Sequence, residues 1–589
     1  MNRRDYLLST ASMLALARFA NADDAPVYTP QIKYSVRIPM RDGVILGGTL
    51  YLPRGLTAPR PTIFSLTPYT ADDYHAEGSD LATHGYPYLA IDMRGRGDSG
   101  GEFGPFASEP GDGHDIVEWI AKQPFCNGQV GMCGLSWVGY TQWATVRGDP
   151  AGLATIVPSA PCYVGFDFPI RYNIFFNFAA AWLAFVKGNT RRNNVFADEK
   201  YWVGEYMRFL EAGLPFRKLP DFLGFESLSF DRWIDHPQQD EYWDRLNPTP
   251  EQFAKLTIPV LSLCGIYDGD QLGTLEFHRQ HFEHAGDKAN HYLVIGPWGH
   301  EEVRNPTAEF LGIKVGQASV IDMRKLHRDW YRYAMEGGPL PEFLKKKVTY
   351  YVMVADQWRH ANTLEGVTAR YETMHLNSAA NADSVYRAGA LTTRPAAKAA
   401  PDQYVYDPRD LSALRLEATL KESELTDQTL ILAKAGGKLI YQTEPFENDV
   451  EVSGRFKFSA WIAIDQPDTD FMVSIYDIAP DGSSMFMTEQ HMRARYREGL
   501  RVEKLIHTKD PLRYDFDRFF FVSRLIRKDH RLRLVVRANH NLKWQKNYNS
   551  GKAVVDETMA DARTVTVRLY HDAAHPSALS VPIGRADVD

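Results

Sequence analysis

Three side chains, far apart in the chain, have the types and the order that acyl transfer requires. Ser136 lies in Gly134-Leu135-Ser136-Trp137-Val138-Gly139, between a strand-like run at 129–134 and a helix-like run at 137–147. A serine on a sharp strand-to-helix turn carries its hydroxyl above the sheet, and nearby glycines let the chains crowd there. The N–H of Trp137, at the helix start, then faces a developing oxyanion. The spacing is Gly-x-Ser-x-x-Gly, one residue longer than the strict elbow pattern. A serine hydroxyl needs a base, and the base needs an orienting carboxylate. In such folds the chain order is serine, acid, histidine. Asp268 follows the run 258–265 in a Tyr-Asp-Gly turn, and His300 follows 292–295 through Gly296-Pro297-Trp298-Gly299. Singly, Asp268 reads as a turn former and His300 as a loop histidine. In this order, each just past a strand end, they read with Ser136 as a triad whose histidine titrates at about 7. A His-Gly-Gly-Gly oxyanion loop is absent. Tyr69, in Thr67-Pro68-Tyr69 after the run 61–67, stands in its place, and its phenol is either the second oxyanion donor or an ordinary packed ring.

The elements that must position these residues alternate between strand and helix over 31–160. Strand-like runs at 34–39, 44–52, 61–67, 88–92, 129–134 and 154–158 are interleaved with helical patterns at 112–123 and 137–147. That alternation predicts an α/β fold with a mostly parallel sheet covered by helices. The stretch 166–250 changes character: it is rich in aromatics, with helical runs at 175–186 and 199–210, and reads as a helical cap inserted in the α/β domain. The sheet pattern resumes at 258–265 and 292–295, which gives an α/β domain of 31–165 and 251–345. From 348 to 589 the hydrophobic period becomes two, as in Phe456, Phe458, Ala460, Ile462 and Ile464, with turns such as Pro480-Asp481-Gly482. This predicts a C-terminal antiparallel β-sandwich of jelly-roll type.

With 589 residues, the chain is too long for one core. A hydrophobic share of 44% and a charged share of 24% exclude a mainly disordered or fibrous chain. The net charge of −8, without a basic block, argues against a nucleic-acid partner. No run of about 18 apolar residues exists to span a membrane. The N-terminus reads as an address: Arg3-Arg4, an apolar stretch from Leu7 to Ala20, then Ala20-Asn21-Ala22 before Asp23. Residues 1–22 therefore resemble a twin-arginine signal, with a periplasmic or secreted destination expected. The alternative is a frayed N-terminal helix. Four cysteines do not make a disulfide framework in a chain of this size, and Cys133 and Cys264 read as small buried hydrophobes. No Cys-x-x-Cys or His-Glu-x-x-His spacing suggests a metal, and no cofactor motif is present. The expected partner is a small-molecule ester or amide; oligomeric state is not legible.

Taken together, several motifs resemble the cocaine esterase and X-prolyl dipeptidyl aminopeptidase family of serine hydrolases. They are Thr67-Pro68-Tyr69, Asp92-x-Arg94-Gly95, Gly134-x-Ser136-x-x-Gly139, Tyr267-Asp268-Gly269 and Gly296-Pro297-Trp298-x-His300. In the C-terminal half, Asp468-Thr469-Asp470-Phe471, Pro480-Asp481-Gly482 and Arg493-Ala494-Arg495-Tyr496-Arg497 continue the match in order, so the similarity spans about 31–589. That family includes α-amino-acid ester hydrolases and glutaryl-cephalosporin acylases. The resemblance implies Ser136 as nucleophile, His300 as base, Asp268 as its partner, and Tyr69 with the Trp137 N–H as oxyanion hole. It also implies that the cap and the jelly roll wall the pocket. Asp270 matches an acidic place in the α-amino-acid ester hydrolases, where a carboxylate cluster holds a substrate ammonium. Asp167 is a looser match for a second member. Asp270-Gln271 departs from that family's paired acids, and a solvated loop acid is the alternative. The expectation is a carboxylic ester hydrolase. X-Pro dipeptidyl-peptidase, aminoacyl esterase or β-lactam acylase activity is the alternative within enzymes, and a non-catalytic carbohydrate-binding protein the remote one.

Overall fold

The computed structural model describes residues 28–420, 425–433 and 437–585. The export reading falls on 1–22, outside the described residues. The α/β domain is one ten-stranded sheet. In chain order its strands are β1 (Pro30–Pro39), β2 (Ile45–Pro53), β3 (Arg60–Thr67), β4 (Tyr88–Asp92), β5 (Cys126–Leu135), β6 (Leu153–Ser159), β7 (Val260–Gly265), β8 (His291–Gly296), β9 (Val348–Val352) and β10 (Gln357–Ala361). Across the sheet the order is β1-β2-β4-β3-β5-β6-β7-β8-β9-β10. The run from β4 to β9 is parallel, with antiparallel pairs at both edges. The parallel strands are buried on both faces, which explains their continuous apolar runs.

The flanking helices are α1 (His75–Thr83), α2 (Glu109–Ala121), α3 (Trp137–Gly148), α4 (Phe178–Phe185), α5 (Glu199–Ala212), α6 (Gln271–Ala285) and α7 (Met323–Glu336). In α7, Met323, Leu326, Trp330 and Tyr331 are buried, the Asp322 carboxylate caps its start, and Gly337 closes it in a left-handed turn. The helical insertion lies between β6 and β7, as the sequence predicts. Its residues Trp202, Phe209 and Trp233 share one apolar core with Phe64, Ile116 and Trp143 of the α/β domain. The cap is thus an integral layer of the core.

The C-terminal half is the predicted β-sandwich. Phe458, Ala460, Ile462 and Ile464 of the strand Lys457–Ile464 point into the same core as Val565, Val567 and Leu569. Nearly all pairs are antiparallel; Gly389–Thr392 beside Lys438–Thr443 is parallel. One boundary differs from the sequence reading. Strands β9 and β10, assigned there to the sandwich, belong to the α/β sheet, where β9 runs parallel to β8. Every residue of β9 is buried, and a strand covered on both faces has no alternation to say which sheet it joins. Met353, just after it, exchanges backbone hydrogen bonds of 3.0 Å with Ser523 and Leu525, tying the two halves together. All four cysteines are buried and unpaired. Among the described residues no helix is long and apolar enough to cross a membrane.

Candidate active site

β5 ends at Leu135 and α3 begins at Trp137, so Ser136 alone turns the chain. Its φ of 66° and ψ of −127° lie in a region that costs a residue with a Cβ about 1–3 kcal/mol. Backbone bonds hold it there. Ser136 N–H donates to Ser159 O at 2.9 Å, and Ser136 O accepts from Gly139 and Tyr140 at 2.8 and 3.0 Å. A Cβ on Gly139 would lie 2.7 Å from Ser159 O, and one on Gly134 would lie 2.1 Å from Val138 Cγ1. Val138 packs over Gly134, and the close approach to β6 falls one residue later, at Gly139. That is the physical reason for the longer glycine spacing. The Trp137 N–H belongs to the first turn of α3, where amides lack an intrahelical acceptor.

β7 and β8 are neighbours, and Gly265 pairs with Gly296 at their ends. A Cβ on Gly265 would lie 2.0 Å from Trp298 O, and one on Gly296 would lie 2.3 Å from the Trp298 ring. The two glycines let the following loops pack together, with Trp298 fully buried beneath them. Asp268 and His300 meet as a result: His300 Nδ1 is 2.8 Å from Asp268 Oδ1. The same oxygen accepts the Asp270 N–H at 2.9 Å. Asp268 is 1% exposed, so its carboxylate is fixed. With Nδ1 engaged, Nε2 is the nitrogen left for proton transfer. Burial alone would pull the His300 imidazolium down. Asp268, and Asp270 at 3.9 Å, outweigh it and raise His300 to about 10. The direction of that shift is upward from the neutral range expected for His300 from the sequence.

Tyr69 follows β3, with its N–H donating to Thr67 Oγ1 at 2.9 Å. Its ring stacks on Phe185 of α4 at 5.6 Å. The Trp182 indole N–H donates to the Tyr69 oxygen at 3.2 Å. One acceptor position of the phenol is thereby filled, which leaves its O–H to donate. Burial holds the phenol well above the ordinary tyrosine range, so it stays protonated, and its hydroxyl neighbours that of Ser136. Ser136, Tyr69, His300 and Asp270 line one cavity of about 690 Å³, walled by Trp137, Phe168, Phe176, Trp182, Phe185 and Phe196. No hydrogen bond joins Ser136 to His300 here; in serine hydrolases that bond commonly tightens only with substrate in place.

The X-Pro dipeptidyl-peptidase (S15) family matches residues 42–302, and the X-Pro dipeptidyl-peptidase C-terminal non-catalytic domain matches 343–580. The chain belongs to the cocaine esterase and X-Pro dipeptidyl-peptidase family of serine hydrolases. It is 27% identical to the cocaine esterase of Rhodococcus sp. (strain MB1 Bresler) over 573 residues, 93% of this chain and 98% of that protein. An aminopeptidase from a marine sediment archaeon, Thaumarchaeota archaeon, superposes with a TM-score of 0.79 at 22% identity, covering 97% of this chain and 98% of that one. An α-amino acid ester hydrolase superposes with a TM-score of 0.80 at 20% identity, covering 97% and 99%. These two share the fold across both halves of the chain.

Within this family site, the structure separates the two sequence-predicted acids. Asp270 lines the cavity, and burial, with Asp268, raises its carboxyl to about 6 against the pull of His300 and Arg171. Asp167 does not line it. Asp167 Oδ1 accepts the Tyr163 N–H at 2.8 Å, and Oδ2 accepts the Gly273 N–H at 2.5 Å. This residue pins the cap entry to the start of α6, and Gly273 leaves it room: a Cβ there would lie 2.4 Å from Oδ2. The expectation of Asp167 as a substrate contact is corrected on that ground. Sequence reasoning also missed Trp182, Arg171 and Arg96. Arg96 is fully buried, and its guanidinium donates to Pro68 O at 2.7 Å and Val186 O at 2.5 Å, clamping the Tyr69 turn to the end of α4. In the sequence it stands just after the Asp92-x-Arg94-Gly95 motif, with a charge that gives no sign of its burial. Nothing in an aromatic-rich cap marks Trp182 above its neighbours.

Proposed function

We propose that this hydrolase cleaves carboxylic esters through an acyl-enzyme on Ser136. His300 removes the Ser136 proton and returns it to the leaving group, and Asp268 fixes the tautomer and offsets the imidazolium charge. The Tyr69 O–H and the Trp137 N–H receive the oxyanion of the tetrahedral intermediate. The observation that carries this reading is the strained Ser136 elbow opening on the same cavity as His300, whose Nδ1 is held by a buried aspartate. Likeness to a cocaine esterase along nearly the whole chain supports an ester substrate. Fluorophosphonate labelling with peptide mapping tests it, alongside p-nitrophenyl butyrate turnover. Labelling confined to Ser136, lost with activity in Ser136→Ala, is expected; an unlabelled protein would return the binding-module reading.

One observation favours a second reading, aminoacyl esters or X-Pro amides: Asp270 presents a carboxylate to the cavity. Glycine esters would then outrun the matching acetate esters, and Asp270→Asn would remove the preference. For residues 1–22 we propose twin-arginine export to the periplasm or beyond, on the Arg3-Arg4 pair and the Ala20-Asn21-Ala22 site. A mature N-terminus at Asp23, and cytoplasmic retention when Arg3-Arg4 become Lys-Lys, are the expected results.

A further inference from the structure

Three guanidinium groups line the cavity: Arg171, Arg191 and Arg304. Arg191 is paired with Asp73 and Arg304 with Glu77. Arg171 is not ion-paired with any described carboxylate. It is 6% exposed, and its hydrogen bond is one from Nη2 to Gly269 O at 2.6 Å. Its Nε is buried without an acceptor. The guanidinium is packed among the rings of Phe176, Phe520 and Trp544, with its carbon 5.8, 5.1 and 5.3 Å from their centroids. A buried charge without a partner is costly, and five N–H donors in a fixed fork match a carboxylate. The position is rigidly built. Arg171 sits in a short hairpin, Ile170–Arg171 paired with Ile174–Phe175. The hairpin's turn is pinned to the sandwich by Tyr172 OH to Arg518 O at 2.8 Å and Asn173 Nδ2 to Leu500 O at 2.7 Å.

The acids nearby do not substitute for a ligand. Both oxygens of Asp167 are taken by backbone amides, and Asp270 leans toward His300, 3.9 Å away. Arg171 attracts both carboxyls through space, but neither forms an ion pair with it. The bond to Gly269 O also fixes which side of the cavity Arg171 serves. Gly269 lies in the loop between Asp268 and Asp270, which carries the partner of His300, and His300 is the group that hands its proton to the departing alcohol or amine.

We propose that Arg171 binds a carboxylate carried by the leaving group, so that the preferred substrates are esters of hydroxy acids. This rests on the esterase reading above and deepens it. The test compares the butyrate ester of 4-hydroxybenzoate with that of 4-hydroxybenzamide, a neutral match in shape. The wild type is expected to favour the anionic ester by about ten- to a hundredfold in kcat/KM, as one charge-assisted hydrogen-bond pair would give. Arg171→Gln should erase the preference by lowering kcat/KM for the anionic ester at least tenfold more than for the neutral one, and Arg171→Lys should keep part of it. Because Arg171 also packs against three rings, competition on the unaltered enzyme provides an independent measure. Free 4-hydroxybenzoate should inhibit neutral-ester turnover competitively, and 4-hydroxybenzamide should not. Equal kcat/KM for the two esters in the wild type overturns the proposal, as does equal slowing of both in Arg171→Gln. An Arg171-dependent preference for p-nitrophenyl hemisuccinate over p-nitrophenyl butyrate would place the anion on the acyl side and overturn the assignment. Failure of the esterase reading looks different: neither butyrate ester would be turned over at all.

Discussion

Among the described residues, the serine, aspartate and histidine proposed for catalysis have a counterpart elsewhere in the molecule that is put together differently. That counterpart lies in the sandwich: Ser378 follows one strand, Asp402 opens another and His571 follows a third, in the same chain order as Ser136, Asp268 and His300. There Ser378 Oγ donates to Asp402 Oδ1 at 2.9 Å and sits 3.1 Å from His571 Nε2, while Asp402 Oδ2 is 3.2 Å from that same nitrogen. Serine and acid crowd one ring nitrogen, and Nδ1 is buried without a partner. In the α/β cluster the acid takes Nδ1, and the serine is lifted onto a strained elbow that faces a cavity. Residue types and order are shared; the division of labour between the two ring nitrogens, and access to a cavity, are not.

Substitution at matched positions should break the comparison most sharply. Ser136→Ala is expected to lower kcat by about 10⁴–10⁶ with an unchanged melting temperature. Ser378→Ala should leave turnover intact and cost about 1 kcal/mol of stability, read by denaturant unfolding. Next come the acids. Asp268→Asn should favour the wrong tautomer and cost on the order of 10⁴ in kcat. Asp402→Asn should spare kcat and cost about 1–3 kcal/mol, because Asp402 also accepts from Tyr441 OH at 2.6 Å and Ala382 N–H at 3.2 Å. Burial would raise the Asp402 carboxyl, but bonds from His571, Tyr441 and Ser378 outweigh it and hold it below the ordinary range. Its stabilising contribution is thus present above the unfolded aspartate pKa and is lost as pH falls through the lower folded value. Equal loss of activity in both acid variants would dissolve the distinction.

The contrast also explains what could be read in advance. Ser136, Asp268 and His300 were legible because each follows a strand that announces itself by an apolar run and a glycine. The jelly roll was legible because Phe458 to Ile464 alternate. Strand β9 was misassigned because burial on both faces removes that alternation, and β10, its antiparallel partner, was assigned with it. Asp167 was a looser match than Asp270 in the sequence, and the backbone amides of Tyr163 and Gly273 that occupy its carboxylate show its structural part. Arg171 and Trp182 were hidden because their roles depend on contacts between elements more than 100 residues apart, such as Trp182 with Tyr69 and Arg171 with Phe520.

A smaller effect is expected at the oxyanion site. Tyr69→Phe keeps the ring stacked on Phe185 and deletes the donor, so kcat should fall by about 10²–10³ with KM little changed. A loss confined to KM would make Tyr69 a substrate contact. Trp182→Phe removes the bond that orients the phenol without touching the reacting atoms. Its loss should be smaller than that of Tyr69→Phe, and it should vanish in a Tyr69→Phe background, where there is no phenol left to orient.

The smallest effect is a shift of the pH profile, and it isolates Asp270. Activity needs His300 neutral, so kcat/KM should rise as pH passes through its folded-state value. Asp268 and Asp270 raise that value to about 10, which places the rise well on the alkaline side of an ordinary histidine. The sign for stability is opposite. A histidine held protonated by its partners stabilises the fold below the unfolded histidine pKa, and that contribution is lost as pH rises through the folded value. Asp270→Asn removes one of the two carboxylates while Asp268 stays at 2.8 Å. The rising limb should then move down by about one pH unit, with turnover of a neutral ester at pH 8 increased because more His300 is in its basic form. Asp268→Asn should not mimic this, since it disrupts the tautomer as well as the charge. If the limb does not move in Asp270→Asn, the 3.9 Å approach carries no charge coupling, and the Asp270 carboxylate belongs to the substrate.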